Sequence, residues 1–130
     1  MSAQPRPALS RIQKLDFFAA ITSITGDRGR ASNYLYGSSK SALSSVLSGM
    51  RVRLHKSGVS VVDVRPGFVD TRLTWGRPGM FLVAAPETMA RDAYRGIMKN
   101  RAVVYTPFLW AGIMWIIRMI PDFVFRRLNL

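Results

Sequence analysis

FFAAITSITGDRGRASNYLYGSSKSALSSVLSGMRVRLHKSGVSVVDVRPG, residues 17–67, carries the pattern that decides the fold. Phe17 to Ser23 is a short apolar run that ends in hydroxyls and is followed by Gly26, the length and flanking of a buried strand opening into a loop. The loop is ITGDRGRASN, rich in glycine and charge. From Asn33 to Lys56 the sequence predicts a helix. Ser32 or Asn33 is the candidate cap, Arg51, Arg53 and Lys56 sit near its C-terminus, and Gly58 stops it. Val59 to Arg65 is β-branched, short and bounded by Gly58 and by Pro66-Gly67, which predicts a second buried strand.

Working outward, FVDTRLTWGRPGMFLVA (residues 68–84) reads as a loop with scattered glycine, proline and tryptophan. Pro86 to Asn100 begins with Pro, Glu and Thr and ends with Lys and Asn, the polarity of a helix of about four turns. Ala102 to Thr106 predicts a third strand. Strands alternating with helices give an α/β chain, βαβαβ, with a parallel sheet. The first fourteen residues lack the apolar stretch of a secretory signal and read as a lead-in, so the expected division is lead-in at 1–16, sheet unit at 17–107 and apolar helix and tail at 108–130. No internal repeat is present.

One modest core fits 130 residues and 14.6 kDa. Apolar residues at 48% and charged residues at 20% are globular composition and argue against disorder. Without cysteine there are no disulfides, thiolate metal sites or cysteine nucleophiles, and a reducing compartment is permitted. His55 is the only histidine, so a two-histidine metal site is impossible and no metal is expected. Nineteen Lys and Arg against seven Asp and Glu give +12, which raises nucleic acid as a partner. The basic residues are spread evenly, with no run longer than Arg126-Arg127, and no nucleic-acid partner is expected.

The long helix holds the chemistry. Leu43, Leu47, Met50 and Leu54 recur at steps of three and four, and extending that stripe backwards lands on Lys40 and Tyr36. A lysine on a buried apolar stripe, one turn from a tyrosine, either snorkels to water or serves the phenol. A cation about 5 to 6 Å from a phenol favours the phenolate and lowers a pKa that starts near 10, making Tyr36 a candidate general acid and base. A strand-end hydroxyl such as Ser23 could donate to the developing oxyanion of a carbonyl undergoing reduction.

Ser23 lies thirteen residues before Tyr36, Lys40 lies four after it, and Pro66-Gly67-Phe68-Val69-Asp70-Thr71 follows the next strand. This joint spacing resembles the C-terminal half of the short-chain dehydrogenase/reductase superfamily, over about 110 residues from Ala19 onward. Through GDRGRASNYLYGSSK, VRPGFVDT, VVYTPFLW and IPDFVFRRLNL, the chain is most similar to members of the decaprenylphosphoryl 2-keto-pentose reductase type. The resemblance implies the second half of a doubly wound, Rossmann-type sheet and hydride transfer with NAD(H) or NADP(H). It implies Tyr36 as proton donor, Lys40 lowering its pKa and holding the cofactor ribose, and Ser23 orienting the carbonyl. Val69 backbone and Thr71 would contact the nicotinamide end, with Pro66 and Gly67 shaping the turn beneath. The substrate it implies is a ketone, a lipid-linked keto-sugar among the candidates, and the active form a homo-oligomer.

The pattern departs from the family in one large respect. No Gly-x-x-x-Gly-x-Gly or Gly-x-Gly-x-x-Gly occurs, and the family's first four strands and the asparagine of its tetrad have no counterpart. The expectation is a truncated member that binds cofactor poorly by itself, or a relic that keeps these residues while serving as a membrane-attached or subunit-interaction protein. Arg28 and Arg30, between Ser23 and Tyr36, are candidates to grip a substrate phosphate, although solvated loop arginines are common. Asp63 and Asp70 read as a strand residue and a turn former. His55 reads as a surface residue complementing the helix C-terminus. Phe108 to Ile120 predicts an apolar helix that packs on the sheet or a second subunit, lies in a membrane interface, or spans the bilayer. Taken together, these features lead to the expectation of a cytoplasmic protein, peripheral on the inner face of the membrane through residues 108–130.

Overall fold

A computed structural model describes residues 16–72, 74–76 and 78–130, so all of the expected lead-in except Asp16 lies outside the described residues. Three strands, β1 (Phe17–Ile21), β2 (Ser60–Pro66) and β3 (Val103–Thr106), form one sheet in the order β1-β2-β3. Every pairing is parallel, with Ala19 opposite Val62 and Arg65 opposite Tyr105. Helix α1 (Tyr34–Leu54) joins β1 to β2, and α2 (Pro86–Met98) joins β2 to β3. Helix α3 (Leu109–Met119) and the single turn α4 (Asp122–Phe125) follow. The βαβαβ order expected from the alternation of strand and helix patterns is the order found.

The ends of the elements shift for identifiable reasons. β1 stops at Ile21 because Thr22, whose N–H still reaches the Val64 carbonyl at 2.8 Å, is followed by Ser23, which caps a 3-10 turn at Ile24–Gly26. Helix α1 ends at Leu54, tightens into one 3-10 turn, and stops at Gly58, whose φ of 73° lies in the left-handed region. Between β2 and α2, Val69 makes a parallel bridge to Ala84 beyond the ends of the strands, where the sequence reads as a bare loop.

Alternation along β2 assigns the two faces of the sheet. Val62 and Val64, with Val104 of β3, pack under Ala93 and Ile97 of α2. Asp63 and Arg65 point the other way, toward the side on which Tyr105 and, from α3, Ile113 and Ile117 pack against a second cluster. Ile24, Trp110 and Met114 form the buried centre of that cluster. On α1, Leu47 is fully buried and Leu43, Met50 and Leu54 half-buried, the stripe read from the sequence.

Two features of this packing lead to measurable outcomes. A Cβ added to Gly67 would lie 2.1 Å from the Trp110 Nε1 atom, so the absence of a side chain there lets α3 close over the end of β2. Gly67→Ala is expected to destabilise the chain by about 1–3 kcal/mol through overpacking, read as a lower urea midpoint. Among the described residues β1 pairs only with β2, and Phe17, Phe18 and Ile21 of this edge strand are exposed. Such an edge recruits another strand. Self-association is expected in size-exclusion chromatography with light scattering, and a clean monomer would contradict it.

Candidate active site

The site lies where the chain leaves the C-terminal ends of β1 and β2, the end at which open α/β sheets bind ligands. Ser23 is buried and its Oγ accepts hydrogen bonds from the Thr25 N–H at 3.1 Å and the Thr25 hydroxyl at 2.9 Å. Both bonds use its lone pairs, which leaves the Ser23 hydrogen to donate elsewhere. The 3-10 turn after Ser23 presses on the first turns of α1. A Cβ on Gly37 would lie 2.7 Å from the Thr25 carbonyl oxygen, and one on Gly26 would lie 2.8 Å from the Ser41 nitrogen. Glycine at both positions is what allows helix and turn to meet backbone to backbone.

That contact brings Tyr36 and Lys40 to the end of β1. The Lys40 ammonium donates to the Ile21 carbonyl at 3.4 Å and stands 5.7 Å from the centroid of the Tyr36 ring. Lys40 is half-buried, whereas Tyr36 is 48% exposed and its hydroxyl bonds to nothing among the described residues. A phenol facing open space beside an ammonium with spare donors is arranged to meet a ligand.

The segment after β2 supplies the opposite wall. Pro66 is buried, and the Gly67 N–H donates to the Thr106 carbonyl at 3.0 Å. Bonds from the Ala84 N–H to Phe68 O at 2.8 Å and from the Asp70 N–H to Ala84 O at 2.9 Å hold the Val69 peptide from both sides. Thr74 Oγ1 bonds the Val69 carbonyl and also accepts from the Thr71 N–H, at 3.0 Å. The Val69 N–H is left without a partner among the described residues. One free amide, the Ser23 hydroxyl and the spare Lys40 donors suit the carboxamide and ribose of a nicotinamide cofactor, while no glycine-rich turn is present to receive its pyrophosphate.

The two loop arginines are placed differently from each other. Arg28 donates from one guanidinium nitrogen to the carbonyls of Ile117 and Ile120, both at 2.6 Å, and from another to Asp122 at 3.0 Å. Its guanidinium also lies 3.7 Å from the centre of the Phe125 ring. Arg28 thus caps the carbonyl end of α3 instead of facing the site, and its cation has partners without a substrate phosphate. The Arg30 side chain is half-buried and has no hydrogen bond or ion pair among the described residues.

A network invisible to residue-by-residue reading supports Ser23 from below. Thr22 donates to one Asp63 carboxylate oxygen at 2.5 Å, and Arg65 donates to the other at 2.8 Å. Arg65 also donates to Asp27 at 2.9 Å and to the Tyr105 hydroxyl at 3.1 Å, and that hydroxyl donates to Asp27 at 2.6 Å. The available signal was Asp63 and Arg65 two residues apart in a buried strand, charges on one face that require partners. Burial works to lower the Arg65 pKa, but its bond to Asp63 and the charges of Asp27 and Asp63 outweigh this and raise it. The Tyr105 phenol is pushed above its ordinary 10.0, first by burial and then by its bond to Asp27. The folded phenol therefore holds its proton more tightly than the unfolded one, so stability falls as pH rises above about 10. Urea midpoints measured across that range are expected to decline, with the decline reduced in Tyr105→Phe.

Known proteins resemble this chain in sequence and in fold. Residues 19–78 match the family model of short chain dehydrogenases. The chain is 36% identical over 107 residues to an uncharacterized oxidoreductase of Mycobacterium tuberculosis, covering 82% of this chain and 43% of that protein. It is 33% identical over 110 residues to an uncharacterized oxidoreductase of Streptomyces coelicolor, covering 83% of this chain and 43% of the relative. The chain thus spans less than half the length of these relatives. In fold it is similar to a short-chain dehydrogenase of Burkholderia cenocepacia in complex with NADP, with a TM-score of 0.69, 22% identity, and coverage of 85% of this chain and 50% of that one. A short-chain dehydrogenase of Sphingobium yanoikuyae in complex with NADPH gives a TM-score of 0.59 at 21% identity, over 88% of this chain and 50% of that one. By the match over residues 19–78, this segment is similar to the short-chain dehydrogenases, and its parallel sheet is the fold those structures share.

Proposed function

We propose that this chain carries the catalytic half of an NAD(P)-dependent oxidoreductase that reduces a ketone to an alcohol. The observation that carries the reading is the meeting of the Lys40 ammonium with the Tyr36 ring at 5.7 Å, at the end of the strand that leads into Ser23. The reduced nicotinamide, when bound, supplies a hydride to the carbonyl carbon. Tyr36 gives its hydroxyl proton to the carbonyl oxygen, so that the ketone becomes an alcohol. Ser23 donates to that oxygen and fixes the orientation of the carbonyl before transfer. Lys40 holds the ribose with its spare hydrogens, the Val69 N–H and Thr71 take the carboxamide, and Pro66 and Gly67 set the turn that presents them.

A lipid-linked keto-sugar is the substrate class that the sequence resemblance favours, and the apolar residues 108–130 suit a substrate that resides at a membrane. Arg30, with its free guanidinium, is the residue available to such a substrate's phosphate. A second reading rests on the large apolar side chains exposed along residues 108–130. In that reading the catalytic residues are relics on a membrane-attached or subunit-binding protein.

A chimera decides between them, with this chain replacing the matching segment of the mycobacterial relative. The chimera, and not the 130 residues alone, is expected to bind NADPH in calorimetric titration and to oxidise it with ketones. Tyr36→Phe in the chimera is expected to lower kcat by about 10²–10⁴-fold while leaving cofactor binding intact. Unchanged turnover in Tyr36→Phe would refute the assignment, and a folded chimera that binds NADPH without turnover would favour the relic.

A further inference from the structure

Helix α3 is apolar on two faces, and only one has a partner among the described residues. Trp110 and Met114 are buried against Ile24, with Ile113 and Ile117 packed beside them. On the opposite side of α3, Trp115 is 65% and Met119 66% exposed, with Ile116 exposed beside them, and Phe123 of α4 is exposed as well. Four large exposed apolar side chains in so short a stretch exceed what scattered surface residues require.

The charges around this face are of one sign. Arg118, Arg126 and Arg127 are exposed along residues 109–130, and the one acidic residue there, Asp122, is bonded to Arg28 at 3.0 Å. Arg28 also binds the Ile117 and Ile120 carbonyls, so the polar end of α3 is closed off and the face is held rigid. No helix among the described residues is long and apolar enough to cross a membrane.

From this juxtaposition we infer that the outer face of α3 and α4 docks on an anionic lipid surface. Trp115, Ile116, Met119 and Phe123 enter the headgroup boundary, and the three arginines meet lipid phosphates. Tryptophan belongs at that depth, and basic residues flanking an apolar face give the electrostatic part of such binding. A second copy of the chain fits less well. Symmetric contact would set this patch against its own equivalent, bringing three arginines of each copy together with one acidic side chain, Asp122, already paired with Arg28. The inference does not depend on catalysis, and a catalytically dead chain would dock equally well.

The test is flotation of the full chain with vesicles of phosphatidylcholine alone and of phosphatidylcholine mixed with phosphatidylglycerol. The mixed vesicles are expected to carry the chain upward, with binding weakened by salt. The double variant Arg126→Gln, Arg127→Gln is expected to weaken binding at least about tenfold, from roughly one charge contact at each position. The double variant Trp115→Ser, Met119→Ser is expected to abolish it while keeping the native circular dichroism spectrum. As an independent reading, brominated lipids are expected to quench tryptophan fluorescence in a Trp75→Phe background. Absence of flotation with anionic vesicles would overturn the inference, as would binding unaltered by Trp115→Ser, Met119→Ser. A change in oligomeric state alone, without vesicle binding, would assign the face to a second copy or another protein and also overturn it.

Discussion

The Arg65 guanidinium, set between the buried carboxylates of Asp63 and Asp27, is the constraint on which the rest of the site depends. Asp63 also accepts from Thr22, one residue before Ser23, and Asp27 follows directly on the 3-10 turn that Ser23 caps. Strand β2 therefore grips both ends of the turn that holds the Ser23 hydroxyl. Losing one partner of a buried pair costs about 3–5 kcal/mol, because the opposite charge is then left without compensation. Here one cation serves two carboxylates and a phenol, so the geometry of β1, β2, β3 and the turn is fixed at a single point.

Helix α1 is registered against that point by an absence of side chains. Gly26 and Gly37 let the turn and the helix approach until the Thr25 backbone lies against Gly37 and the Ser41 backbone against Gly26, and Tyr36 and Lys40 are carried along on the adjacent positions. The ammonium then reaches the carbonyl that ends β1. Site geometry follows from local rules used in combination: a cap, two close approaches and a four-residue helical spacing. None of them needs a long loop to fold over the site.

Much of this was legible in the sequence, and what was hidden has a common cause. Each strand is a short β-branched or apolar run bounded by glycine, proline or a hydroxyl, so the alternation of strand and helix could be read directly, as could the one-turn spacing of Tyr36 and Lys40. Arg28 read as a loop arginine because its partners, Ile117 and Ile120, lie about ninety residues away and offer only carbonyl oxygens, which have no sequence signature. The cluster of Asp27, Asp63, Arg65 and Tyr105 was hidden for the same reason, since three separate segments contribute to it. Phe108 to Ile120 read as a helix, close to the observed Leu109–Met119, but its pattern does not divide inner from outer faces, which the packing of Trp110 against Gly67 decides.

Arg28 and Asp27 are neighbours in sequence with opposite allegiances. One holds the far end of α3, and the other is held by the sheet. The short peptide between them works as a rivet joining the C-terminal helix to the floor beneath Ser23. A tilt imposed on that helix from outside would be felt first at this rivet, and the serine loop would have to yield with it or the Arg28 clasp would have to open.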